Sequence, residues 1–183
     1  MKRETEERAE RLTRRQFVAA SALGGAAVAV GCGTNRRGGW EFLRDGQART
    51  LAAICDQIVP GDQFPSASQA GVLTFIDRQL VRHFRGHQDA YRDGLEQANA
   101  MSRKHFGRDL ADASQEQQFA LVSALEQEAN PFFELVRTHT LEGYYGSPRH
   151  GGNRDAASWR MLGLDEPPLR GRARYDLTKD SYQ

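Results

Sequence analysis

SQEQQFALVSALEQEANPFFELVRTHTLEG, residues 114–143, holds two helix starts and two apolar stripes. Ser114 followed three residues later by Gln117 is a capping box, in which each side chain satisfies the other residue's backbone N–H at the first turn. Phe119, Leu121, Val122 and Leu125 then recur at helical spacing on one stripe. Asn130-Pro131 is a second start signal, with the amide as cap and proline in the first turn, where its missing N–H costs nothing. Phe132, Phe133, Leu135, Val136, Thr140 and Leu141 follow, and the glycines from Gly143 to Gly146 are expected to end that helix.

The same period runs outward in both directions. Upstream, Leu51, Ile54, Cys55, Ile58 and Val59 form a stripe that Pro60-Gly61-Asp62 ends. Phe64-Pro65-Ser66-Ala67-Ser68 reads as a loop with capping serines. Val72, Phe75, Ile76, Leu80 and Phe84 make the next stripe, and a helix over 88–106 turns Tyr91, Leu95, Ala98 and Met101 inward. Downstream, a glycine-rich turn, His150-Gly151-Gly152-Asn153-Arg154-Asp155, leads into a short helix with Trp159, Met161 and Leu162, ended by Gly163. No strand alternation and no repeat interrupts this pattern, so the expected fold is all-α, a single small helical domain.

The amino terminus has another character. Leu12-Thr13-Arg14-Arg15-Gln16-Phe17-Val18 is a twin-arginine export pattern, with Arg14, Arg15 and Phe17 as its key residues. The Ala-, Gly- and Val-rich run to Val30 is shorter than the roughly 20 apolar residues a membrane span needs. A buried or amphipathic first helix is the alternative. Ala29-Val30-Gly31-Cys32 resembles a lipobox, so Cys32 is a candidate lipidation site; ordinary cleavage nearby, with Cys32 incidental, is equally open. The expected organisation is a signal peptide over 1–31, a linker over 32–45, the helical domain over 46–166 and a loose tail over 167–183.

Composition narrows the function. The chain has 183 residues, 39% hydrophobic and 27% charged, a balance typical of soluble globular proteins. Six basic and four acidic residues lie within Met1–Gly31, which leaves 19 basic and 20 acidic in the remainder. A body so near neutrality lacks the basic face of a nucleic-acid binder. No dinucleotide fingerprint, P-loop, nucleophile elbow, C-x-x-C or haem-attachment motif is present. His83 and His87 offer two ligands at helical spacing without an evident third, whereas zinc needs three or four. His139 and Glu142 share a helix face, as an acid–base pair would, or as polar residues near an interface or cap would. Cys55 sits on an apolar stripe and reads as a buried thiol. The residues therefore suggest no catalytic, cofactor-binding or metal site. Export in folded form then points to a partner as its reason.

The run Glu142 to Asp155 concentrates turn residues, aromatics and arginines. It reads either as a long connection or as a presented surface, since Tyr and Arg are favoured at interface hot spots. On the second reading Tyr144, Tyr145, Arg149, Asn153, Arg154 and Asp155 form a partner interface. On the first, Asn153, Arg154 and Asp155 cap the next helix and pin the loop.

Two groups of residues together resemble a known family. One is Ile58-Val59-Pro60-Gly61-Asp62 with Ala70-Gly71-Val72 and Phe75-Ile76-Asp77-Arg78-Gln79-Leu80; the other is Phe132-Phe133-Glu134-Leu135 with Thr140-Leu141-Glu142-Gly143, Gly151-Gly152-Asn153-Arg154-Asp155 and Trp159. Over about Leu51 to Leu164 the chain is similar to the gluconate 2-dehydrogenase subunit 3 family, small subunits of membrane-bound sugar and sugar-acid dehydrogenases. The resemblance implies a complex. An FAD-containing flavoprotein of the glucose-methanol-choline type oxidises the substrate, and a multihaem c-type cytochrome passes electrons toward quinone. The small subunit has no cofactor of its own; it binds the flavoprotein, helps it mature and carries it through the twin-arginine translocase. The implied location is periplasmic, attached to the cytoplasmic membrane. The competing readings are a free-standing periplasmic enzyme using His139, Glu142 and Arg154, and a structural lipoprotein.

Overall fold

The computed structural model describes residues 39–164. Arg14, Arg15, Phe17 and Cys32, the signal over 1–31 and the tail over 167–183 lie outside the described residues. Six α-helices and no strand are found among the described residues: α1 (Asp45–Ile58), α2 (Val72–Leu80), α3 (Gln88–Phe106), α4 (Gln115–Gln127), α5 (Pro131–Tyr145) and α6 (Ala157–Met161). Short 3-10 turns at Arg85–His87, Leu110–Asp112, Pro148–His150 and Arg154–Ala156 join them.

Helix α1 is the hub and packs against α2, α3, α4 and α5. Its Leu51, Ile54 and Cys55 are fully buried, and Ala48 and Ala53 let neighbours approach from further round. Around it close Val72, Ile76 and Leu80 of α2, Tyr91, Leu95 and Ala98 of α3, Leu121, Val122 and Leu125 of α4, and Phe133 and Val136 of α5. The two start signals form as expected. Gln117 N–H donates to Ser114 Oγ (3.3 Å) while Ser114 N–H donates to Gln117 Oε1 (3.0 Å). Asn130 Oδ1 accepts from the N–H of Phe132 (2.9 Å) and of Phe133 (3.4 Å). At the other end of a helix, Gly107 adopts φ +72° after α3, the left-handed turn that lets its N–H reach Arg103 O.

Four expectations are corrected. Phe119 is 62% exposed; it lies about 110° around α4 from the middle of the Leu121, Val122 and Leu125 stripe. Ser66 and Ser68 do not cap α2, which Gly71 begins in the left-handed region. Instead Ser68 donates through both its N–H (2.8 Å) and its Oγ (2.7 Å) to Asp56, tying the loop to α1. Helix α2 stops at Leu80, so Phe84 packs from the following turn. Lastly, Trp40 to Arg44 are not linker. Phe42 and Leu43 are buried, and the Asp77 carboxylate accepts from the N–H groups of Glu41 (2.7 Å), Phe42 (3.0 Å) and Leu43 (2.8 Å). Three backbone donors on one ionisable acceptor secure this segment against α2.

Candidate functional site

The residues that follow α5 are held by close backbone contacts that only glycine permits. A Cβ on Gly152 would sit 2.2 Å from the carbonyl oxygen of Gly143, and a Cβ on Gly143 would sit 2.7 Å from the Phe75 ring. A Cβ on Gly71 would sit 2.8 Å from the carbonyl oxygen of Gly151. Arg154 N–H donates to Ala70 O at 2.8 Å. The stretches Ala70-Gly71-Val72, Thr140–Gly143 and Gly151–Asp155 thus meet at one joint between α2, α5 and the loop. The loop itself carries backbone strain, with Asn153 at φ +45°, Asp155 at +56° and Ala156 at +52°. Such angles persist in non-glycine residues only where surrounding contacts impose them.

Tyr144 and Asn153 do not stand on the surface, contrary to their assignment as interface residues. Tyr144 is buried and its hydroxyl donates to Pro65 O (2.8 Å); burial pushes its pKa up, so it remains a donor. Asn153 is fully buried; its Nδ2 donates to Gly146 O and its Oδ1 accepts from Ser158 N–H, both at 2.9 Å. One side chain therefore ties the end of α5 to the start of α6, and pins the loop from beneath. Tyr145, Arg149, Arg154 and Asp155 are exposed. Tyr145 stands edge-on to the Tyr144 ring (5.1 Å between centroids), and its carbonyl accepts from Trp159 Nε1 (2.8 Å). Leu162 and Leu164, just past Trp159 in the chain, are both more than half exposed.

Arg78 of α2, which sequence reasoning did not place in the site, belongs to it. Its Nη1 comes within 3.0 Å of the place a Cβ on Gly151 would occupy, and its stem packs there too. Asp77 was missed as well. Its partners lie 34 to 36 residues away, and nothing local marks it.

The histidines do other work. His139 is buried, stacked on Phe84 (3.7 Å between centroids), and shares a 3.0 Å hydrogen bond between its Nδ1 and the Tyr91 hydroxyl. Burial, and then the neighbouring His87, push its pKa down to about 4. Glu142 points to solvent and makes no hydrogen bond to His139, so the two do not form an acid–base pair. His83 and His87 do not share a helix, because α2 ends before them and His87 turns toward His139. Among the described residues no group of three or more His, Cys, Asp or Glu side chains is arranged to hold a metal ion. Cys55 is buried as expected, against Thr140 Oγ1 (3.2 Å).

An open groove of about 290 Å³ between α3 and α4, lined by Met101, His105, Phe106, Ala120, Leu121 and Ala124, is nearly all apolar. It lacks the converging polar groups that orient a small-molecule ligand. No helix among the described residues is long and apolar enough to cross a membrane.

Residues 45–165 match the family described as gluconate 2-dehydrogenase subunit 3. No curated protein and no solved structure matches the chain.

Proposed function

The chain belongs to the gluconate 2-dehydrogenase subunit 3 family, and from this membership we propose that it is the non-catalytic small subunit of an exported FAD-dependent dehydrogenase complex. In this reading it binds a flavoprotein of the glucose-methanol-choline type, supports its maturation and carries it through the twin-arginine translocase to the periplasm. A c-type cytochrome completes the complex at the cytoplasmic membrane. FAD and haem reside in those partners.

The family match carries the reading; what supports a contact surface is the joint at Gly71, Gly143, Gly151 and Gly152, beside a strained loop in which Tyr145, Arg149 and Arg154 are exposed. Strain of this kind has to be offset by the rest of the fold, and it marks segments shaped for contact. A rigid backbone confines the ordering cost of binding to the side chains, and arginine and tyrosine bury large areas.

Affinity purification of the native chain with flavin absorbance as the readout tests the proposal. A stoichiometric flavoprotein supports it; a chain that purifies alone from cells with active dehydrogenase removes it. Replacing Arg14 and Arg15 by lysine should leave chain and flavoprotein together in the cytoplasm. Cys32→Ser should release the chain from membranes if a lipid on Cys32 is the attachment, and leave it bound if the cytochrome is.

A further inference from the structure

Arg49, Arg92, Arg103 and Arg137 each hold a carboxylate within the domain, on Asp112, Asp89, Glu96 with Asp109, and Glu134 respectively. Arg78 and Arg154 hold none among the described residues, as is true of Arg44, Arg82, Arg85, Arg108 and Arg160, but these two lie at the glycine joint. Arg78 lays its stem along Gly151, with Cδ 3.5 Å and Nη1 3.0 Å from where a Cβ would stand. Arg154 is fastened by its N–H to Ala70 O (2.8 Å), and its Nη2 lies 3.7 Å from the equivalent point on Gly71. Gly71 and Gly151 touch each other, so both guanidinium groups lie at the same joint. Arg149, exposed in the same loop, adds a third cation. The acids nearest in sequence, Asp77, Glu142 and Asp155, ion-pair with none of them; the Asp77 carboxylate is taken by the N–H groups of Glu41, Phe42 and Leu43.

Resting on the subunit reading above, we infer that Arg78 and Arg154 form a carboxylate-receiving site for an acidic segment of the flavoprotein. A guanidinium donates two parallel N–H bonds to one carboxylate, so two arginines at one joint suit a segment that carries more than one acid. Arginine stems already packed against backbone lose less freedom when the acid arrives. A lipid surface is the poorer fit, because it is held by mobile clusters of about four to eight basic residues.

The test uses the full chain co-expressed with its flavoprotein. Arg78→Gln with Arg154→Gln removes both charges while keeping a polar, partly aliphatic side chain at each position. Its helical content and melting temperature should stay near wild type, while affinity for the flavoprotein falls roughly thirtyfold or more. In parallel, R78K and R154K preserve charge and introduce an amine that carbodiimide couples to a touching carboxylate. Mass spectrometry should then join each introduced amine to an Asp or Glu of the flavoprotein. Unchanged affinity in the folded double variant overturns the inference and leaves the subunit reading intact, as do cross-links found solely elsewhere. Loss of binding only to phosphatidylglycerol vesicles, with the flavoprotein retained, assigns the pair to the membrane instead. A wild-type chain that holds no flavoprotein overturns both readings.

Discussion

Gly152 rests directly on the carbonyl of Gly143: a Cβ added to the one would stand 2.2 Å from the oxygen of the other. That oxygen belongs to helix backbone, so it cannot swing aside as a side-chain tip would. Gly152→Ala should therefore destabilise the domain by about 2 kcal/mol or more. Gly86, which has nothing within 4 Å of an added Cβ, provides the control; Gly86→Ala should be neutral or slightly stabilising. Urea unfolding of the two variants measures both, and equal stabilities would remove the joint as a structural element.

Asp77 gathers three backbone donors from Glu41, Phe42 and Leu43. Asp77→Asn keeps the shape and loses the charge, which should cost about 2 kcal/mol. The local effect should exceed the global one. Chymotrypsin should cut after Trp40 or Phe42 in the variant well before it opens the helices. Equal cleavage rates in wild type and variant would contradict the account.

The imidazole of His139 is held neutral down to about pH 4, whereas in the unfolded chain it takes a proton near pH 6.5. Between those values the unfolded state binds more protons than the folded one. The contribution is complete above pH 6.5 and is lost as pH falls toward 4, on the order of 3 kcal/mol in all. His139→Gln can still pair with the Tyr91 hydroxyl but does not titrate. Denaturation midpoints from pH 7.5 to 4 should thus fall more steeply for wild type than for the variant, and parallel curves would refute the assignment.

Burial pushes the Cys55 thiol up to about 12, against a smaller opposing effect of its Thr140 hydrogen bond. Thiolate is the reacting form, so Cys55 should be inert at pH 8. A Cys32→Ser chain should show no reaction with a thiol reagent while native and one equivalent after unfolding. Prompt labelling of the native variant would place Cys55 near solvent.

How far these features could be read from the sequence depended on the range over which they act. The starts of α4 and α5 rest on side chains two or three residues from the groups they satisfy, and Ser114, Gln117 and Asn130 were readable for that reason. The run from Tyr144 to Asp155 stood out by composition. Which of its side chains face outward did not, because Asn153 and Tyr144 are drawn inside by acceptors at Gly146 and Pro65. Phe119 was misplaced because several apolar residues at loosely helical spacing fit a stripe wider than α1 can cover. The Tyr91–His139 pair spans 48 residues and the Asp77 contacts 34 or more, and no local pattern encodes either. Arg78 joined the site only through the turn at Gly151.

Asp77 and Arg78 are adjacent on α2, one gripping the backbone ahead of α1 and the other facing the loop. Any pull on the chain ahead of Glu41 is borne first by three hydrogen bonds to a single carboxylate. From there the load enters the helix that carries Arg78, before it can peel α1 from the core. The leading end of the domain and the loop at Gly151 are thus moored to neighbouring residues of one helix turn.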